Sequence, residues 1–95
     1  MKIWLDDERS MPDGFDRHAT TAAEAIALLA QGGVTHISLD HDLGNDAGSG
    51  YDVACWIEQA AYYGLLEPID VRIHTANPVG LVRMQYAIAR ARQYW

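Results

Sequence analysis

Three groups of polar side chains follow apolar stretches of the chain, and their residue types are those of a metal or phosphate site. The groups are Asp6–Asp7, Asp40–Asp42 with His41 in the middle, and His74–Asn77. Carboxylates brought close together resist simultaneous ionisation unless a cation neutralises them. If the first two groups meet in the fold, the sequence therefore predicts a site for a divalent cation.

The ligands expected for that cation are four carboxylates, those of Asp6, Asp7, Asp40 and Asp42, although Asp42 could instead orient His41. Oxygen ligands of this kind suit hard ions such as Mg²⁺, Mn²⁺ or Ca²⁺. An added imidazole, from His41 or His74, would shift the preference toward Mn²⁺, Fe²⁺ or Zn²⁺. The expected cofactor is a divalent metal, with Mg²⁺ or Mn²⁺ favoured.

The third polar group supplies hydrogen-bond donors for a phosphate. The hydroxyl of Thr75 and the side chain of Asn77 could both contact phosphate oxygens, although Asn77 is also a natural helix N-cap. A structural interpretation competes at the acidic positions too, because an Asp after a strand commonly caps a turn or a helix. Taken singly, Asp6, Asp42 or Asp52 would be structural, and only convergence of two acidic clusters favours a functional site.

The other residues capable of chemistry are assigned to packing or to polar contacts at strand ends. These residues are His18, His36, Trp4, Trp56 and the pair Tyr62–Tyr63. Cys55 falls in the middle of a predicted helix with no basic neighbour in sequence, which is typical of an unreactive thiol.

The elements that must position the polar groups can be read from apolar patterning and from caps. Strands are predicted at 2–5, 34–39 and 69–73, with a brief edge strand at 15–19. Helices are predicted from the capping-box spacing Thr21–Glu24 to Gly32–Gly33, after the Gly-rich loop 45–50 to about Gly64, and over 79–94. Each polar group follows the end of one of the three strong strands.

Strands that alternate with helices predict parallel β-α-β units and an α/β fold of three layers, with a sheet of about four strands covered on both faces. The first connection is too short for a helical crossover, so it is expected to lack its helix or to serve a minimal edge strand. Ligands bind beyond the carboxyl ends of strands in such sheets. The three polar groups are therefore expected in one pocket.

Length and charge limit the possible functions. Ninety-five residues form one domain, 1–95, and the formal net charge of −6 opposes binding of bulk DNA. No apolar run reaches the roughly 18 residues of a membrane span, and Asp6 interrupts any signal-peptide core. With a single cysteine, the chain suits a reducing cytoplasm. An exposed sheet edge makes a homodimer plausible.

The acidic pair, the Asp closing a central strand and the pair Thr75–Ala76 together resemble the receiver domains of two-component signalling, which have a flavodoxin-like fold. Four longer segments resemble, more specifically, the cyclic-phosphate processing receiver-like family. They are Trp4–Arg9, Ser38–Gly44, Gly50–Val53 and His74–Gly80. The resemblance implies a truncated receiver-like fold with a metal-binding acidic site.

In ordinary receivers the acidic pair and the central Asp bind Mg²⁺, the central Asp accepts a phosphoryl group, and a lysine after a fifth strand contacts it. The only lysine here is Lys2, at the wrong end of its strand, and no fifth strand follows the helix that begins near Val79. Phosphotransfer through Asp40 is therefore the weakest expectation.

The resemblance implies instead a metal-dependent phosphoesterase that processes cyclic or terminal phosphates of nucleotides or RNA. Asp40, His41, His74 and Asn77 are the expected catalytic residues, and Thr75 is expected with Asn77 at the phosphate. The alternative is a noncatalytic receiver-like module for signalling or protein interaction. The histidines beside the acidic cluster favour the enzyme, because a passive module has no need of them.

Overall fold

The protein, described by a computed structural model over residues 1–95, folds into four strands and three helices. In chain order these are β1 (Lys2–Leu5), β2 (Arg17–Ala19), α1 (Ala22–Gln31), β3 (His36–Leu39), α2 (Gly50–Tyr62), β4 (Asp70–Ile73) and α3 (Pro78–Tyr94). All strand pairs are parallel, and the strand order is β2-β1-β3-β4. The predicted α/β class and parallel four-stranded sheet are confirmed. The edge strand is shorter than the predicted 15–19.

Each helix begins at a side-chain cap. Thr21 accepts the backbone N–H of Glu24, but the Glu24 carboxylate bonds to hydroxyls, so only half of the predicted capping box forms. Ser49 and Asp52 make a full capping box at α2, which gives Asp52 the structural role expected of it. Asn77 caps α3 by accepting the N–H of Gly80 at 3.0 Å.

The apolar core lies on one face of the sheet. Residues that pair across neighbouring strands share a face, and the registers Ile3↔Ile37 and Ile37↔Val71 line up buried side chains beneath the helices. Helix α2 packs against both α1 and α3, so the helices form one continuous layer. Burial of this face supplies the main driving force of folding.

The opposite face differs from the prediction, because no helix covers it. Its strand positions include the exposed residues Lys2 and Arg72, and it is covered only by the segment 6–16, whose Phe15 meets the Trp4 ring edge to face at 5.2 Å. The physical reason is the short connection between β1 and β2, which cannot hold a crossover helix. The expected outer layer is therefore a loop.

None of the three helices is both long enough and apolar enough to cross a membrane.

Candidate functional site

A close group of three carboxylates lies at the carboxyl ends of the two central strands. The register Leu5↔Leu39 places the residues after β1 beside those after β3. Carboxylate oxygens of Asp6, Asp7 and Asp40 all lie within 4.8 Å of one another. The structure thus brings together three of the four predicted metal ligands.

Asp6 is the fixed member of this group. Its side chain is fully buried, Oδ1 accepts the backbone N–H groups of Glu8 (2.8 Å) and Arg9 (2.9 Å), and Oδ2 lies 3.0 Å from Nε2 of His74. Burial alone would raise the pKa of the Asp6 carboxyl, but these hydrogen bonds outweigh burial and hold the pKa below its usual value. Asp6 is therefore an ionised, oriented carboxylate, whereas Asp7 is exposed.

His74 has both ring nitrogens engaged. Nε2 donates to the Asp6 carboxylate, and Nδ1 lies 2.7 Å from the hydroxyl of Ser38. Burial lowers the pKa of His74, and the nearby Asp6 charge offsets this only in part, so the ring is neutral and Nδ1 accepts the Ser38 O–H. The Trp4 ring is stacked on the imidazole, with centroids 3.7 Å apart and planes 7° from parallel.

Asp42 lies outside the group of three carboxylates and instead contacts His41. Its Oδ1 is 2.8 Å from His41 Nδ1, and its Oδ2 is 3.5 Å from Nδ2 of Asn77. The hydrogen bond from His41 is the largest influence on Asp42 and lowers the pKa of its carboxyl. Since a carboxylate can only accept, Nδ1 of His41 carries a proton that it donates to Asp42.

The predicted phosphate ligands lie at the start of α3. Thr75 Oγ1 accepts the backbone N–H of Asn77 at 3.2 Å, which leaves the hydroxyl proton of Thr75 available to a ligand. Asn77 uses Oδ1 as the helix cap and directs Nδ2 toward His41 and Asp42. The eight predicted site residues thus occupy the loops after β1, β3 and β4.

The family model of the cyclic-phosphate processing receiver domain matches residues 1–90. The chain belongs to this family. The comparisons with curated proteins and with solved structures gave no match.

The position of its lysine distinguishes this cyclic-phosphate processing receiver domain from ordinary receivers. Lys2 lies at the first position of β1, and Asp6 follows the last. The lysine is therefore separated from the acidic group by the length of the strand.

Four side chains around Asp6 were not predicted to support the site. Ser38 and Trp4 hold the His74 ring, and Trp4 also donates from Nε1 to the carbonyl of Arg9 at 3.3 Å. Arg9 donates from Nη1 to the carbonyl of His74 at 3.3 Å. His18, assigned on sequence to packing or to a polar contact at a strand end, donates from Nε2 to the Asp6 carbonyl at 2.7 Å.

A detectable signal existed for two of these four residues. Alternate residues of a strand share a face, so Trp4 must lie on the face of Asp6, and Ser38 on that of Asp40. The parallel register then brings Trp4 beside Ser38. The contacts of Arg9 and His18 depend on loop geometry that periodicity does not encode.

Two glycines of the cyclic-phosphate processing receiver domain allow the close approach of site loops. A Cβ atom on Gly50 would lie 1.7 Å from the carbonyl oxygen of Asp40, and Gly50 donates its N–H to the carbonyl of His41 at 2.9 Å. A Cβ on Gly80 would lie 2.4 Å from Cδ2 of the His41 ring. Both helix N-termini are therefore packed directly on the segment that carries Asp40 and His41.

Proposed function

We propose that this domain is a metal-dependent phosphoesterase that acts on cyclic or terminal phosphates of nucleotides or RNA ends. The observation that carries the proposal is the convergence of the Asp6, Asp7 and Asp40 carboxylates beside two imidazoles at the carboxyl edge of the sheet. Membership of a family tied to cyclic-phosphate processing supports the proposed substrate class.

The donor set fits Mg²⁺ or Mn²⁺, because all three donors are carboxylate oxygens. Two oxygens bound to one Mg²⁺ at about 2.1 Å lie at most about 4.2 Å apart. The carboxylate oxygens of the three residues lie within 4.8 Å of one another, so binding of an ion there would draw them slightly closer together. An ion held there supplies Lewis-acid polarisation of a phosphoryl oxygen.

The two histidines have different roles in this proposal. His74 has no free ring nitrogen, so its role is to hold Asp6 in place. His41 has a free Nε2, and Asp42 fixes its ring and tautomer, which is the arrangement of an oriented general base. Thr75 and Asn77 donate to the nonbridging phosphate oxygens.

The direct test is a screen of the purified domain against 2′,3′-cyclic and 3′,5′-cyclic nucleotides with Mg²⁺, Mn²⁺ and Zn²⁺. We expect turnover that EDTA abolishes and that Asp40→Asn reduces at least about 100-fold. The matched control is Asp13→Asn, an exposed Asp outside the carboxylate group, which should retain full activity. Turnover that survives Asp40→Asn would contradict the proposal.

A second candidate is a noncatalytic metal-responsive module that signals to a partner. It is favoured by one specific feature, the engagement of both His74 nitrogens, which removes one of the two imidazoles from proton transfer. This candidate predicts Mn²⁺ binding by isothermal titration calorimetry, lost in Asp40→Asn, with no turnover of any cyclic nucleotide.

We further propose a reducing cytoplasm as the compartment, since Cys55 is unpaired.

A further inference from the structure

The outer edge of β4 has unpaired backbone groups. Asp70 donates its N–H to the carbonyl of Thr35 and His74 donates to that of Leu39, both at 2.9 Å, so these alternate residues face β3. The intervening residues turn their N–H and C=O groups to the open side; they are Ile69, Val71 and Ile73. No strand among residues 1–95 pairs with that side.

The sequence of this edge, Ile69-Asp70-Val71-Arg72-Ile73, is complementary to itself when read in reverse. We propose that a second copy of this chain pairs with β4 in antiparallel orientation, about a two-fold axis at Val71. Val71 then faces its own copy, and Ile69 faces Ile73. These are the residues whose backbone groups point outward, so each facing pair exchanges two ladder hydrogen bonds.

Charge complementarity sets this register. Asp70 of each copy lies opposite Arg72 of the other, in the non-hydrogen-bonded positions where facing side chains are closest. Within one chain Arg72 Nε already lies 3.4 Å from Asp70 Oδ1, and both side chains are exposed on the open face of the sheet. A two-fold axis at Arg72 would instead place Arg72 opposite Arg72, and like charges in facing positions are unfavourable.

A groove beside the edge can receive the second strand's apolar side chains. It has a volume of about 220 Å³ and lies between β4 and α3; its lining residues are Val71, Ile73, Leu81, Gln85, Ile88 and Arg92. Arg92 closes the edge in the single chain by donating from Nη2 to the Val71 carbonyl at 3.2 Å. The second copy's Val71 N–H replaces that donor, and the two sheets become one of eight strands.

The test is sedimentation equilibrium of wild type and charge variants over a wide concentration range. Wild type should dimerise, whereas Asp70→Arg and Arg72→Asp, each alone, should weaken dimerisation at least about tenfold by opposing like charges. A mixture of the two single variants should form a heterodimer, because the reversed charges then match across the two-fold axis. Glu67→Arg, an equal charge change outside β4, should dimerise as wild type does.

Far-UV circular dichroism of each variant establishes that it folds, and rescue in the mixture can occur only if both chains are folded. A wild-type chain that stays monomeric at millimolar concentration overturns the proposal. So does a dimer that neither single reversal weakens, since such a dimer uses another surface. The outcome is independent of catalysis, because no residue of β4 belongs to the carboxylate group.

Discussion

At the scale of single residues, the site depends on side chains that touch no ligand. Asp6 already accepts three hydrogen bonds, two from backbone and one from His74, and a carboxylate has about four acceptor positions. Only one position is left for a cation. Its direction is set by His74, which is itself fixed by Ser38 and by the Trp4 ring. A change at Ser38 should therefore affect the binding of a cation through two hydrogen bonds.

We expect Ser38→Ala to lower the affinity for Mn²⁺ by about 10-fold or more, the usual loss when a supporting hydrogen bond at a metal site is removed. Isothermal titration calorimetry measures the affinity. Ser38→Thr keeps the hydroxyl and should keep most of the affinity, and Ser10→Ala, at an exposed position in the loop between β1 and β2, should change nothing. Equal binding by Ser38→Ala and wild type would show that His74 needs no anchor.

The depressed pKa of His74 predicts a pH dependence of stability in the metal-free protein. The unfolded chain takes up a proton near pH 6.5, whereas the folded chain does so only at lower pH because burial disfavours the imidazolium. The free energy of unfolding should therefore fall as pH drops through 6.5, by at most about 1.4 kcal/mol per pH unit for this one group. Asp6 stays ionised throughout this range, since its pKa lies below 3.8.

Urea unfolding at pH 7.5, 6.5 and 5.5, in EDTA, measures this slope for wild type and for His74→Gln. Gln cannot be protonated, so the free energy of unfolding of the variant should depend less steeply on pH. The other histidines should contribute to that slope as before. Identical slopes in the two proteins would mean that His74 titrates alike in the folded and unfolded chains.

At the scale of elements, the starts of α2 and α3 hold the loop after β3 in place. Gly50 approaches Asp40 and Gly80 approaches His41, each closer than any side chain would allow. The two contacts differ in what a methyl group would displace. At Gly50 it would meet a backbone carbonyl, which cannot move without shifting β3, whereas at Gly80 it would meet an imidazole ring that can turn away.

Gly80→Ala should therefore impair catalysis more than folding. The intrinsic helix propensity of Ala, about 1 kcal/mol better than that of Gly, offsets part of the clash, and the His41 ring must leave its position beside Asp42. We expect an unchanged circular dichroism spectrum, retained Mn²⁺ binding and a turnover lowered about 100-fold, the typical contribution of a general base.

The control for that variant is Gly64→Ala, at the end of α2, where a Cβ meets open space but φ is +70°. It should cost about 1 kcal/mol of stability through backbone strain and leave turnover intact. If Gly80→Ala turned over substrate at the wild-type rate, His41 would not be the proton-transfer residue.

The limit of sequence reasoning also appears at the scale of elements. Strand ends were predictable, because an apolar run that stops at Asp6 or Asp40 marks both an element and the edge where its acid lies. Asp42 could not be distinguished from its neighbours, since a difference of one position along the loop determines whether a carboxylate faces the carboxylate group or the His41 ring. The supporting contacts of His74 to Ser38 and Asp6 span 36 and 68 residues, and no local pattern records such pairings.

At the scale of the whole molecule, helices cover one face of the sheet and a loop covers the other. Trp4 is the one large apolar side chain on the loop-covered face, and it is buried between Phe15 and His74. The loop that begins at Asp6 and ends at Asp16 thus carries two of the three carboxylates of the acidic group and also covers this face. Binding at the acidic group and order in the loop should therefore be linked.

The net charge of −6 gives a last prediction, concerning the rate at which an anionic substrate arrives. A protein that repels phosphate gains from salt, because screening shortens the range of the repulsion from about 30 Å at 0.01 M to about 10 Å at 0.1 M. With Mn²⁺ held saturating, kcat/KM for a cyclic nucleotide should therefore rise about two- to threefold over that range of salt. A basic nucleic-acid-binding protein shows the opposite trend, since salt competes with its phosphate contacts. As a control, the binding affinity for a neutral phosphate triester should not change with salt. A fall in kcat/KM of the cyclic nucleotide with salt would instead reveal an attractive surface that the net charge conceals.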